Sequence, residues 1–152
     1  MKLLKINHVK YGLIMVTIPT ICLLIMELTG QNQTFDNKSP FQLIFMFVAP
    51  LVVWTLGIRA KKKALKNKLS FKQGLSEGFK ISLVYAAVSP FMFMAYYLFV
   101  NPEIINYVRS AYRITGATNN MVILVDMVVQ FVTATLFGTI YSAIISFFLK
   151  SK

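Results

Sequence analysis

Four long stretches of the sequence contain no Asp, Glu, Lys or Arg, and this pattern restricts the fold more than any other feature. They cover residues 11–26, 39–58, 81–102 and 127–149. A helix of about 20 residues crosses the hydrocarbon core of a bilayer, so uncharged runs of this length are typical of transmembrane helices. The sequence therefore predicts an all-α integral membrane bundle of four transmembrane helices in a single domain, residues 1–152. The predicted spans are residues 10–29, 41–58, 80–100 and 121–148.

The first run is preceded by lysines at positions 2, 5 and 10, as the apolar segment of a cleaved signal peptide would be. However, it ends in Glu27-Leu28-Thr29-Gly30, which lacks the small residues of a cleavage site. We therefore expect this span to be retained. The single cysteine, Cys22, excludes an intrachain disulfide and a metal site built from cysteines.

The basic residues are distributed unevenly between the two sides that four spans would create. Thirteen of the 16 Lys and Arg residues fall in the two terminal segments, in the loop between spans two and three (residues 59–79), or at the span ends that adjoin them, Lys10 and Lys80. Lysine and arginine concentrate in the cytoplasmic segments of membrane proteins. The sequence therefore predicts that both termini and the 59–79 loop lie in the cytoplasm.

A net charge of +11 would suggest nucleic-acid binding in a soluble protein, but here 57% of the residues are hydrophobic and only 14% are charged. The densest basic segment also has no interleaved aromatic residue on which a base could stack. We expect it to contact anionic headgroups of the bilayer, with a specific lipid or protein partner as the alternative, and we expect no nucleic-acid partner. Its residues are Arg59, Lys61, Lys62, Lys63, Lys66 and Lys68.

The two segments that flank the third span carry helix-start signals. Ser70 and Gln73 have the spacing of a capping box, which begins either a short interfacial helix or an early third span. After the third span, Asn101-Pro102-Glu103 predicts the start of a short amphipathic outer helix over residues 102–114, with Asn101 as its cap. Gly74 and Gly78 either weaken the helix that contains them or allow a neighbouring helix to approach closely.

Two patterns occur inside the predicted spans. Prolines near the middle of three spans, Pro19, Pro50 and Pro90, each remove a backbone hydrogen bond, so they predict either curved packing or kinks around a central cavity. The hydroxyl groups of nearby residues could bond the carbonyls released in this way; the candidates are Thr17, Thr20 and Ser89. A stripe of small residues at four-residue spacing in span four predicts close packing on another helix, in the same chain or in a second copy. The stripe consists of Ala134, Gly138, Ser142 and Ser146.

Asp126 and Gln130 continue this stripe towards the outer end of span four. An acidic side chain inside a membrane is a candidate proton, cation or substrate site. Glu27 ends span one at the same predicted level, so the two carboxylates could face each other. Alternatively, Asp126 could form an ion pair with Arg109 or Arg113 of the outer helix.

The sequence offers little for catalysis. The only histidine, His8, precedes span one and is expected on the surface, and no group of acids has metal-ligand spacing. We therefore expect no enzymatic activity, no metal and no cofactor. The favoured function is a scaffold or accessory subunit that acts through helix–helix packing, with a homo-oligomer or another membrane protein as partner. The alternative is a small transporter or channel with a polar site at Asp126, Gln130 and Glu27.

Three segments resemble one bacterial family of membrane proteins, the domain of unknown function 4199, which is found mostly in Bacteroidetes. They are YGLI at residues 11–14, LGIRAKKKALKNKLSFKQGLSEGFKISL at residues 56–83, and YYLFVNPEIINY at residues 96–107. The shared features are the Gly-Ile-Arg exit from span two, the basic loop and the aromatic run before an Asn-Pro helix start. The resemblance implies four spans and an inner-membrane location, and it implies no activity.

Overall fold

A computed structural model of the protein describes residues 6–30 and 40–151, of which the side chains of 40–46 lie outside the description. The described residues form α-helices and no strand, so the prediction of an all-α fold is confirmed. Lys2, Lys5, Lys38 and Lys152, which the charge comparison includes, lie outside the described residues. The helices are α1 (Asn7–Leu28), α2 (Pro40–Ala64), α3 (Phe71–Phe99), α4 (Ile104–Ala111) and α5 (Asn119–Leu149).

Three of these helices are long and apolar enough to cross a membrane, which indicates a membrane protein. The most apolar 18-residue windows of α1, α3 and α5 have mean hydropathies of 2.0, 1.6 and 2.0. Helix α2 occupies the place of the predicted second span, but over its described residues it is not among the candidates.

The predicted loop 59–79 is mostly helical in the structure. Helix α2 continues through the basic segment to Ala64, since lysine and alanine favour helix, and α3 already begins at Phe71. The capping box is confirmed: the Ser70 hydroxyl accepts a hydrogen bond from the Gln73 amide, and the Gln73 side chain accepts one from the Ser70 amide. Span three therefore starts early and has no separate interfacial helix before it. The connection between α2 and α3 is only residues 65–70, in which Lys66 and Asn67 have positive φ angles of 52° and 63°.

Helices α3 and α5 pack together antiparallel through small residues. A Cβ atom on Gly74 would lie 2.6 Å from the Ser146 hydroxyl, and one on Gly78 would overlap Ser142. Farther along, a Cβ on Gly138 would overlap Ser82. The contacting residues are therefore spaced four apart on both helices, and their order along α5 is the reverse of their order along α3. The glycines therefore permit a backbone approach that larger side chains would prevent.

The termini of four helices meet at one end of the bundle, which we call the basic end. There the Asn7 side chain donates to the Gly57 carbonyl at 2.9 Å, and the Lys62 ammonium donates to the Leu149 carbonyl at 2.8 Å. The Ser151 amide donates to the Leu69 carbonyl at 2.8 Å. The N-termini of α1 and α3 and the C-termini of α2 and α5 therefore lie together. The opposite end, which carries α4, is called the α4 end.

The three prolines lie inside α1, α2 and α3, which are each continuous helices. Two of the three hydroxyls expected to bond the released carbonyls, those of Thr17 and Thr20, have other partners. The hydroxyls of Thr17 and Thr20 donate to the carbonyls of Leu13 and Val16, one turn before each threonine, rather than to a carbonyl released by Pro19. A threonine in a helix reaches its own preceding turn most easily, and this geometry decides the pairing.

The outer helix is shorter than predicted. It covers Ile104–Ala111 instead of residues 102–114, and its N-cap position is Glu103 rather than Asn101, whose side-chain amide donates to Glu27 of α1. The apolar face of α4 is buried in a hydrophobic cluster at the α4 end, where it packs with aromatic residues of α3 and with the first turns of α5. The buried residues of α4 are Ile104, Ile105 and Val108.

Candidate functional site

Asp126 is the centre of a buried hydrogen-bond network near the α4 end. Its side chain is on α5 and only 4% of the residue is exposed. One carboxylate oxygen accepts a hydrogen bond from the Tyr97 hydroxyl at 2.7 Å and another from the Gln130 amide, and the other oxygen accepts one from the Tyr112 hydroxyl at 2.7 Å. Three uncharged donors from α3, α5 and the segment after α4 thus surround one acid.

No cationic side chain balances this acid within the part of the chain that the structure describes. The arginine of the outer helix, Arg109, instead donates to the Asn119 side chain at 2.5 Å. Glu27 does not face Asp126 either, because it accepts hydrogen bonds from the Tyr96 hydroxyl at 2.6 Å and from Asn101. Arg113 forms no ion pair with Asp126 either, so neither the predicted pair with Arg109 or Arg113 nor the predicted facing of Glu27 and Asp126 is formed among the described residues. No direct signal in the sequence pointed to the tyrosine partners of Asp126, because aromatic residues in apolar helices are usually packing residues.

Tyr112 connects this network to the segment that follows α4. Burial, together with the hydrogen bond to Asp126 and the negative charge of that carboxylate, raises the pKa of the Tyr112 hydroxyl above its usual value. The hydroxyl therefore stays protonated at neutral pH and remains a donor to the carboxylate.

A cavity of about 470 Å³ lies beside the network, between α2, α3 and α5. This volume is within the range of about 300–1,000 Å³ that is typical of small-molecule sites. Gln130 and Tyr112, both bonded to Asp126, form its polar end. The other walls are largely aromatic, and the rings come from Phe47, Trp54, Tyr85, Phe93, Phe137 and Tyr141.

One polar atom at the cavity lacks a partner. The side-chain oxygen of Gln130 is buried and accepts no hydrogen bond from any described residue, whereas the amide nitrogen of the same side chain donates to Asp126 and to the Tyr97 hydroxyl. A second cavity, of about 220 Å³, reaches Asp126 from the α4 side, and Tyr112 and Phe93 line both cavities. The network therefore separates two spaces and presents an unused acceptor beside the larger one.

The remaining residues singled out in the sequence serve packing or lie elsewhere. Pro50 and Ala134 line the larger cavity, while Ser142 and Ser146 face α3. Gly138 does both, since it also packs against Ser82. Pro19 and Pro90 lie within α1 and α3, outside the lining of this cavity. In the basic segment, Lys61 and Lys62 have intramolecular partners, whereas four residues are exposed: Arg59, Lys63, Lys66 and Lys68.

The sequence analysis missed a second polar cluster, at the basic end. Glu77 of α3 is 3% exposed and accepts a hydrogen bond from the Asn7 side chain at 2.7 Å. His8 and Lys61 lie 3.6 and 3.7 Å from the same carboxylate, so the cluster joins α1, α2 and α3. His8 is therefore a neighbour of Glu77 and not an isolated surface residue. The available signal was that Glu77 is the only acid among the many basic residues of these segments.

Within the residues that the structure describes, no group of three or more His, Cys, Asp or Glu side chains could hold a metal ion. The polar site at the α4 end is thus a hydrogen-bonded carboxylate beside an aromatic cavity. Such an arrangement has the means to attract positive charge and to cover an apolar body.

Comparison with known proteins gives a family without a known activity. No curated protein and no solved structure matches the chain significantly. A family model described as "Protein of unknown function (DUF4199)" matches residues 10–151. The match covers all five helices except the first three residues of α1. The chain therefore belongs to the DUF4199 family of proteins of unknown function.

Proposed function

We propose that this protein spans the bacterial inner membrane four times, with α2 as the fourth span and with both termini in the cytoplasm. The support is that the helix termini rich in lysine and arginine meet at the basic end, as the hydrogen bonds from Lys62 to Leu149 and from Ser151 to Leu69 require. Such a concentration of positive charge is typical of the cytoplasmic face. The exposed basic residues of α2 and the connection after it would contact anionic headgroups there.

We further propose that the protein is not an enzyme and that it binds a lipophilic cation in the larger cavity, as the substrate site of a small transporter. A lipophilic cation is a positive centre inside an apolar body, such as a quaternary ammonium or phosphonium ion. The observation that carries the proposal is the combination of a buried acid without a described counter-charge and an adjoining cavity with aromatic walls. Aromatic rings attract cations through their negative faces, and a nearby carboxylate adds a charge–charge term.

Each part of the site has a separate role in this proposal. Asp126 supplies the negative charge, and Tyr97 holds its carboxylate in place from α3. Gln130 lines the cavity and holds the carboxylate through its amide, and Tyr112 forms the gate between the two cavities. Pro50, which interrupts the backbone hydrogen bonds of α2 at the cavity wall, gives that wall a place at which to move.

The scaffold function predicted from the sequence relied on the small-residue stripe of α5. Gly138, Ser142 and Ser146 contact α3 of the same chain, so the stripe does not offer a free surface for a second chain. A homo-oligomer or a membrane-protein partner would have to use another face.

Binding of tetraphenylphosphonium to the purified protein in detergent tests the cation site. Asp126→Asn removes the charge but keeps a hydrogen-bond acceptor, and Glu27→Gln is the matched control at the same end of the bundle. We place the cation about 7 Å from the carboxylate, beyond the Tyr112 hydroxyl. At an effective dielectric constant of about 20, such a pair gains about 2 kcal/mol. We therefore expect Asp126→Asn to weaken binding at least tenfold and Glu27→Gln to change it less than twofold.

A neutral ligand of similar shape, triphenylphosphine oxide, separates charge recognition from apolar binding. We expect this neutral ligand to bind the unmodified protein more weakly than the cation does. We also expect its affinity for the Asp126→Asn variant to equal its affinity for the unmodified protein. Absence of phosphonium binding at millimolar concentration, or an equal loss in both variants, would contradict the proposal.

A further inference from the structure

A groove of about 530 Å³ opens on the surface at the basic end, between the last turns of α2 and the first turns of α3. It is far along α3 from the Asp126 network and shares no lining residue with the larger cavity. Three lysines line it, Lys61, Lys72 and Lys80, together with the hydroxyl-bearing Ser76.

The charges within the groove favour an anion. Glu77 also lines the groove, but its carboxylate already has the Lys61 ammonium at 3.7 Å and the His8 ring at 3.6 Å, and it accepts a hydrogen bond from Asn7. Lys72 and Lys80 are exposed, and neither has an acidic partner among the described residues. With three lysines and one acid, the groove has a net charge of +2.

The arrangement of side chains on α3 matches a single ligand group. Lys72, Ser76 and Lys80 follow each other at four-residue spacing, which places them on one face of the helix. Two ammonium groups can therefore approach one anion from either side of a hydroxyl donor. The start of α3 does not itself provide this site, because its capping box already satisfies the Gln73 amide.

The depth of the groove relative to the apolar part of the protein identifies the kind of anion. Lys80 directly precedes the uncharged run that starts at Ile81, while Lys72 lies eight residues, or about 12 Å, farther towards the basic end. Phe71 and Phe79, on the same helix turns, are 40% and 38% exposed. Exposed aromatic rings beside lysines are typical of the layer in which lipid headgroups lie.

We propose that this groove is a specific binding site for the phosphate group of an anionic phospholipid. Lys72 and Lys80 bind the phosphate oxygens, Ser76 donates a hydrogen bond to them, and the acyl chains extend along the uncharged part of α3. Lysines in a basic pocket between helices at the membrane surface recognise headgroups in this way. The site is distinct from the general attraction of exposed residues such as Lys63 and Lys68 for a negatively charged surface.

Native mass spectrometry of the full-length protein, titrated with phosphatidylglycerol or phosphatidylcholine in detergent, tests this site. The variant Lys72→Gln/Lys80→Gln removes two charges inside the groove, and Lys63→Gln/Lys68→Gln removes two exposed charges outside it. We expect phosphatidylglycerol to bind more tightly than phosphatidylcholine, the groove variant to lose at least tenfold in affinity, and the control variant to lose less than threefold. Equal losses in the two variants would show that charge alone attracts the lipid and would overturn the proposal.

Inorganic phosphate distinguishes the two sources of the same chemical group. We expect millimolar phosphate to displace less than a tenth of the bound phosphatidylglycerol. Full displacement by phosphate would assign the groove to a soluble phosphate compound and would overturn the lipid assignment. Thermal unfolding curves of both variants should match that of the unmodified protein, because all four lysines are exposed. The outcome is independent of the proposed cation site, which has its own variants and ligand.

Discussion

Replacing Gly138 with alanine perturbs the closest contact between α3 and α5. The new methyl group would lie 2.6 Å from Ser82 Cβ and 2.8 Å from the Trp54 ring. Neither neighbour is the end of a flexible side chain, so the helices would have to separate by several tenths of an ångström. Alanine favours a helix over glycine by about 1 kcal/mol, and forcing a methyl group into a packed core costs about 1–3 kcal/mol. With two rigid neighbours, we expect a net loss of about 1–2 kcal/mol in the free energy of unfolding.

Equilibrium unfolding in mixed micelles of increasing SDS content measures this loss. Trp54, the only tryptophan in the chain, reports it through its fluorescence, because its indole donates to Ser82 and to the Gly78 carbonyl. Ala87→Leu, on an exposed part of α3, is the matched control and should leave the midpoint unchanged.

A second substitution in the same contact makes the test specific. Ser82→Gly removes one of the two neighbours that the new methyl group would meet and leaves the Trp54 ring, whose indole keeps the Gly78 carbonyl as an acceptor. We therefore expect the double variant Gly138→Ala/Ser82→Gly to recover about 1 kcal/mol relative to the sum of the two single changes. If Gly138→Ala is at least as stable as the unmodified protein and the pair shows no coupling, the close approach of α3 and α5 is refuted.

Two further substitutions test the cavity and the Glu77 cluster. Ala134→Phe fills the cavity beside Gln130 and should abolish the binding of tetraphenylphosphonium to the purified protein in detergent. The control Val132→Phe, on an exposed face of α5, should bind this cation normally. Equal binding by both variants would exclude the cavity as the site. Glu77→Gln leaves the Lys61 ammonium without its buried counter-charge and should lower the free energy of unfolding by about 1–3 kcal/mol, measured by SDS titration, while the exposed Glu103→Gln should have no effect. A neutral result for Glu77→Gln would mean that the cluster does not stabilise the bundle.

The helices could be predicted from the sequence because their causes are local. Uncharged runs, the Ser70–Gln73 capping box and the small-residue spacing in α5 all act within one or a few helical turns. The main error, a long loop at residues 59–79, came from treating charge as a helix boundary, although a lysine-rich helix can continue into water. In the structure, the uncharged run ends at residue 58, whereas helix α2 ends only at Ala64.

The polar clusters could not be predicted because they depend on which helices become neighbours. Asp126 is bonded to Tyr97, which is 29 residues away, and Asn7 is bonded to Glu77, which is 70 residues away. The pattern of a single sequence identifies candidate polar residues, but it does not show which of them are hydrogen-bonded to each other. A charged side chain is expected to pair with an opposite charge, so the sequence suggests Arg109 or Arg113 as a partner of Asp126 rather than uncharged phenols. Inside an apolar bundle, short phenolic hydrogen bonds satisfy a carboxylate without the cost of burying a second charge.

The hydrogen bonds of Ser151 bear on the order in which the bundle is completed. The hydroxyl of this residue donates to the Asn67 carbonyl and accepts from the Leu69 amide, and its own amide donates to the Leu69 carbonyl. The hairpin of α2 and α3 leaves the ribosome earlier than Ser151, so the backbone groups of its turn have no partner from this residue until α5 has folded. The turn between α2 and α3 is thus closed by a residue 82 or more positions later in the sequence, so its backbone groups gain these partners only after α5 has packed against α3.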